Sequence, residues 1–195
     1  MDFSTFAKEV YQTAAAHGWH EQKRPAYEVI ALIHSEWSEA LEEARAGRPL
    51  VWHACGMIKE HPVCDIRAED GKNCPFYRKG ALCGVRSPKP EGIAVELIDG
   101  CLRILDWLGE TGEPFEIDYA YANDLPLPAL VAMLHGFTSS ALDETAQWID
   151  AVWLEEAMDA ALSWIAAQGL NPEEILIHKH AYNQRRAYRH GGKKF

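Results

Sequence analysis

The residues best suited to chemistry in this chain are two pairs of carboxylates. Glu36 and Glu39 lie in HSEWSEALEEARAG, and Glu96 and Asp99 lie in AVELIDGCLRILDWLG. Within each pair the acids are three residues apart, a spacing that sets both on one face of a helix. Four carboxylates brought together in a partly apolar site repel one another and lose hydration, so such a cluster persists when a divalent cation neutralises it. Ligands that are all oxygen select Mg2+ or Mn2+. The competing reading of a lone ExxE segment is a solvated helix face. Against it stands the apolar setting: Val29, Ile30, Leu32, Ile33, Trp37, Ala40 and Leu41 leave Glu36 and Glu39 at the border of an apolar stripe, and the stretch from Ile93 to Leu108 gives Glu96 and Asp99 little polar company.

The elements that must position these acids are helices. Apolar residues recur at helical spacing over 3–17, closed by Gly18, and over 25–46, opened by Pro25 and closed by Gly47. A third helix is expected over 91–111. Two more are expected at about 129–147 and 149–168, and a last one from the Asn171-Pro172 start to about Arg186. No stretch reads convincingly as a strand, so the fold class is all-α, a helical bundle. The loop WHEQKRP between the first two helices offers Trp19, His20, Lys23 and Arg24 to a base and phosphates, with Trp19 equally readable as a packing anchor. His34 and His135, on apolar faces, read as core histidines rather than catalysts.

The chain has 195 residues, 48% of them hydrophobic, which is enough for one well-filled domain. A formal charge of -10 opposes general nucleic-acid binding, although the tail RRAYRHGGKKF is basic. There is no apolar run near membrane-spanning length and no basic-then-apolar leader, so a cytoplasmic protein without a membrane partner is expected. Of five cysteines, Cys101 falls in an apolar helix and reads as core. Cys55, Cys64, Cys74 and Cys83 fall in residues 47–90, a stretch broken throughout by Gly, Pro, Lys and Arg. A loop of that length needs its own source of stability, for which a structural zinc on four thiolates is one answer. Reduced thiols and disulfides are the others, because no C-x2-C pair is present; His53 or His61 are substitute zinc ligands.

The chain also resembles itself. Residues 29–43 align without gaps on 130–144, with His34 on His135 and Ala40-Leu41 on Ala141-Leu142, and residues 94–112 align on 151–169, with Trp107 on Trp164. The two offsets differ by the length of segment 47–90, which makes that segment an insertion in the first of two pseudo-repeated helical hairpins. In the second copy, 129–168, Glu36 is replaced by Phe137, Glu39 by Ser140, Glu96 by Trp153 and Asp99 by Glu156. The expectation is a pseudo-twofold bundle with one metal-binding half and one degenerate half. It allows a monomer with an internal pseudo-twofold axis or a homodimer.

With these residues in place, the chain resembles the MazG-like all-α nucleoside triphosphate pyrophosphohydrolases, a superfamily that includes the dimeric dUTPases. Their pattern is EExxE followed on the next helix by ExxD. Here Glu36, Glu39, Glu96 and Asp99 occupy the matching positions, and Ser35 stands where the family has its leading Glu. The tail KHAYNQRRAYRHGGKKF is similar to the K-x3-N-x2-R...HGGK ending of these proteins, with Lys179, Asn183, Arg186, His190 and Lys193 in matching places and Ala187 where a proline is common. The resemblance implies a single domain over 1–195, with the C-terminal helix and basic tail at 172–195. It implies Mg2+-dependent (or Mn2+-dependent) hydrolysis of a (d)NTP between the α and β phosphates to (d)NMP and pyrophosphate, a nucleotide-pool housecleaning activity. In that reading Lys179, Arg186 and Lys193 hold phosphates, Asn183 contacts phosphate or sugar, His190 and Trp19 complete the substrate site, and Glu39 also orients or deprotonates water. The alternative function is a non-enzymatic scaffold or adaptor that binds a partner through the Cys-rich insertion.

Overall fold

The computed structural model describes residues 1–54, 89–112, 114–121 and 125–189. The Asp2 carboxylate starts the chain's first helix by accepting the Thr5 backbone N–H at 3.1 Å, satisfying one of the amides that a helix start leaves bare. Helix α1 (Phe3–Ala16) buries Phe3, Phe6, Ala7 and Val10, the one-sided spacing of a helix laid on a core. Helix α2 (Ala26–Arg45) follows Pro25, whose fixed φ preorganises the entry, and buries Ile30, Ile33, Glu36, Trp37 and Ala40. Two three-residue strands, β1 (Trp52–Ala54) and β2 (Lys89–Glu91), then pair antiparallel with Trp52 opposite Glu91.

Gly92 connects β2 to helix α3 (Ile93–Thr111). Its φ of +114° disfavours any side chain, and a Cβ there would lie 2.8 Å from the Leu50 and Pro49 carbonyl oxygens. Leu50 O in turn accepts the Ala94 N–H at 2.9 Å, so the backbone before the ribbon caps the helix after it. Helix α3 is apolar nearly all round and sits at the centre, touching α1, α2, α5 (Ala151–Ala167), α6 (Pro172–Asn183) and β2. Helix α4 (Leu127–Ser140) packs on α2 and α5. The architecture is mostly helical, as the periodicity predicts, and no helix among the described residues is long and apolar enough to cross a membrane.

Three boundaries differ from the sequence reading. The helix expected to reach residue 147 ends at Ser140, because the Asp143 carboxylate captures the Gln147 and Trp148 amides at 2.8 and 2.7 Å and folds 141–150 into a loop. The last helix stops at Asn183 rather than Arg186, since the Arg186 carbonyl meets the His17 ring at 2.8 Å and the Arg189 amide meets the His17 carbonyl. Finally, strands β1 and β2 occupy the two ends of a stretch read as irregular throughout. Cys55, Cys64, Cys74 and Cys83 lie outside the described residues. Cys101 is buried in α3, as expected.

At the α2–α4 junction, residues separated by 101 positions meet: His34 Nδ1 is 2.7 Å from His135 Nδ1, and Trp37 Nε1 donates to Thr138 Oγ1 at 2.9 Å. The two imidazoles share one proton, one ring donating and the other accepting. Burial lowers the pKa of both from 6.5, and the charge of His135 lowers that of His34 further. A lowered histidine pKa means that the unfolded chain binds protons first on acidification. The stability contributed by this pair is therefore complete above about pH 6.5, the unfolded value, and is lost as pH falls toward the folded values. Melting temperature is expected to drop on acidification through this window, with a shallower drop in His135→Asn. An equally steep acid profile in that variant would remove the histidine pair as its cause.

Candidate metal centre and cleft

Glu36 and Glu39 face α3 from one turn of α2, and Glu96 faces them from the first turn of α3. Ligand oxygens of the three lie within 4.8 Å of one another. Glu36 and Glu96 are buried and Glu39 is exposed, so the triangle opens to solvent on the Glu39 side. Burial is the main cause that raises the pKa of Glu36. The Arg103 guanidinium opposes it, and Asp99 and Glu39 add to it. Glu96 is raised for the same first reason, with Asp99 adding and Lys179 opposing. Two buried carboxylates that resist ionisation beside a third, with oxygen donors only, form a set fitted to a hard divalent cation.

Asp99, the fourth acid of the expected set, stands beside this triangle. Its Oδ2 is 2.7 Å from Lys179 Nζ, and that ammonium also donates to the Pro90 carbonyl at 3.2 Å. Lys179 is 1% exposed, which places it as the fixed countercharge of Asp99 rather than as an open phosphate ligand. Ser35 turns its hydroxyl back to the Leu32 carbonyl at 2.8 Å and is not one of the three converging groups.

The triangle forms one wall of a cleft of about 740 Å³, large enough for a small organic ligand of nucleotide size. Trp19, Asn183 and Arg186, three of the substrate residues expected from sequence, line it. Arg24 lies 5.3 Å over the Trp19 ring and 3.8 Å from Asp106. Asn183 Oδ1 is buried without a hydrogen-bond partner among the described residues, an acceptor facing a space that a ligand N–H or O–H can fill. His190 and Lys193 lie outside the described residues.

The sequence reading did not single out Arg103 and Lys89 as cleft residues. Arg103 donates from Nε and Nη2 to one oxygen of Glu36, each at 2.9 Å, and Lys89 pairs with Glu91 on β2. Arg103 was detectable, because it follows Asp99 by one helical turn and so shares the acidic face. Lys89 was not, since it reaches the cleft from β2, which is held there by β1, α3 and α6.

The positions aligned with the acids in the second half are filled differently. Phe137 stacks on Trp153 at 6.1 Å, Tyr121 meets the Phe137 ring edge-on at 5.7 Å, and the Tyr121 hydroxyl donates to Glu156. Two of these sequence-aligned positions thus carry stacked aromatic rings, and Glu156 is held by a phenol. Compared with family models, with curated proteins and with solved structures, the chain has no match in any of the three.

Proposed function

We propose that this protein is a metal-dependent nucleotide pyrophosphohydrolase of the MazG-like kind, cleaving a (d)NTP between the α and β phosphates to give (d)NMP and pyrophosphate. The observation that carries the reading is the Glu36, Glu39 and Glu96 triangle set in the wall of a cleft that Arg24, Lys89, Arg103 and Arg186 also line. Anionic groups for a cation and cations for an anion, side by side, are what a metal-bound polyphosphate requires. The bound Mg2+ or Mn2+ supplies charge neutralisation of the phosphates and a polarised water.

The residues then divide by exposure and chemistry. Buried Glu36 and Glu96 hold the cation, with Asp99 beside them under the control of Lys179. Exposed Glu39 takes the proton of the attacking water at the open side of the triangle. Arg186, which lines the cleft, is assigned to a distal phosphate. Asn183 Oδ1, being an acceptor, suits a sugar hydroxyl or a base N–H better than a phosphate oxygen. Trp19, backed by Arg24, is a stacking surface for the base.

This reading includes a duplicated fold. Hairpin α2–α3 carries the metal centre and hairpin α4–α5 is its degenerate partner. Support comes from the meeting of sequence-aligned His34 with His135 and Trp37 with Thr138, the contact expected across a twofold axis. The aromatic cluster of Phe137, Trp153 and Tyr121 then stands as the closed counterpart of the open acidic site.

The test is pyrophosphate release from each standard (d)NTP and from several damaged ones, with Mg2+, with Mn2+ and with chelator. The expected result is stoichiometric monophosphate and pyrophosphate from at least one substrate, abolished by chelator. Release of orthophosphate instead, or no turnover of any nucleotide, would overturn the proposal, and the second outcome favours a scaffold that binds through its Cys-rich segment.

A further inference from the structure

Resting on the metal-dependent reading above, a further role falls to Arg103. Its guanidinium gives both Nε and Nη2 to the same oxygen of Glu36, at 2.9 Å each. One carboxylate oxygen has two lone pairs, and this geometry uses both. The oxygen belongs to one of the three residues whose carboxylates converge. A divalent cation drawn to the triangle therefore meets a competitor already seated on Glu36, and two cations on one carboxylate repel.

Among the described residues, two basic side chains pair with the four acids, and they are held in opposite ways. Lys179 is 1% exposed and pinned between Asp99 and the Pro90 carbonyl, so it cannot leave. The Arg103 side chain is 32% exposed, anchored through one oxygen, and on the cleft wall. Its long side chain can turn without opening the core. It also stands one helical turn beyond Asp99, roughly 6 Å along the axis of α3, and lines the cleft beside the acids. Arg24 lines the same cleft and is paired with Asp106 and Glu28, so Arg103 is not the cleft's sole cation for an incoming anion.

We propose that Arg103 is a movable cation, exchanging Glu36 for a substrate phosphate as the metal ion takes Glu36, so that metal and polyphosphate bind cooperatively. A merely supporting arginine has a different signature. If it served to orient Glu36 as a ligand, its loss would weaken metal binding, as loss of outer-sphere partners does. A competitor's loss tightens it.

The experiment is calorimetric titration of the chelator-treated full chain with Mn2+ alone, and of the Mn2+-saturated chain with tripolyphosphate. Arg103→Gln is expected to bind Mn2+ about fivefold tighter and tripolyphosphate about tenfold weaker, opposite changes of a size usual for coupled sites. Weaker or unchanged Mn2+ binding overturns the exchange and leaves the metal-dependent reading standing. If the unsubstituted chain binds no Mn2+, both are overturned. Should Arg103→Gln fail to fold, Arg103→Lys carries the same test with the same signs and smaller changes, because an ammonium loses the paired contact to one oxygen.

Discussion

Glu39→Gln is expected to lower metal-dependent pyrophosphate release by on the order of 10²–10³, the range seen when one charged or donor group of a reacting centre is lost, while thermal stability stays close to that of the unsubstituted chain. The reason lies in its position. Glu39 is the exposed member of the triangle, so an amide there leaves no buried group without a partner. Asp99→Asn, which on sequence alone looks equivalent, is expected to lose both activity and stability. Lys179 is 1% exposed and ion-paired with Asp99, and removing the carboxylate strands a buried ammonium. Breaking a buried pair from one side costs about 3 kcal/mol. The replacement Lys179→Met should recover part of that loss in the Asp99→Asn background without restoring turnover. Measured kcat and denaturation midpoints for the three variants check this. Undiminished turnover by Glu39→Gln would remove it from the mechanism, and an unchanged midpoint in Asp99→Asn would show that the pair contributes nothing to the fold.

The second large effect concerns Trp37, fully buried where α2, α3 and α4 meet. Its six-membered ring lies over Gly100, where a Cβ would come within 2.2 Å of Cζ3, and its Nε1 donates to Thr138. Trp37→Ala should destabilise by about 4 kcal/mol, from lost burial and the cavity left behind. That is a large share of the stability a domain of this size holds. Gly100→Ala should cost about 2–3 kcal/mol through overpacking, and Trp37→Phe should relieve part of that cost, because the smaller ring withdraws from the added methyl group. A double-mutant cycle by chemical denaturation reads the coupling directly. Strictly additive costs would mean that the ring and Gly100 do not constrain each other.

Local pattern was a reliable guide where one physical cause acts alone. Asn171 accepts the Glu173 and Glu174 amides at the start of α6, as an Asn-Pro-Glu-Glu start predicts. Gly47 takes a positive φ just past the end of α2, the usual glycine stop. Local pattern was a poor guide where a side chain competes with the helix. The residues 141–147 have helical periodicity, yet Asp143 draws the following amides into a loop. Likewise the end of α6 is set by His17, just past the end of α1 near the other end of the chain, which meets the Arg186 carbonyl.

At the centre itself, the spacing of Glu36 with Glu39 and of Glu96 with Asp99 determined that each pair shares a helix face, because a helix repeats every 3.6 residues. The sequence also determined that these faces border apolar stripes, which draws them toward the core. It could not decide which acids converge. That depends on how α2 crosses α3 and on which cation each acid meets: Lys179 from α6 takes Asp99, and Arg103, on α3 itself, takes Glu36. Nor could it assign Lys179 to a carboxylate rather than to open solvent, since a buried ammonium is recognised only once its neighbours are in place. The acidic faces follow from short-range periodicity, and the division into a triangle, a paired acid and a movable arginine follows from packing between elements distant in the chain.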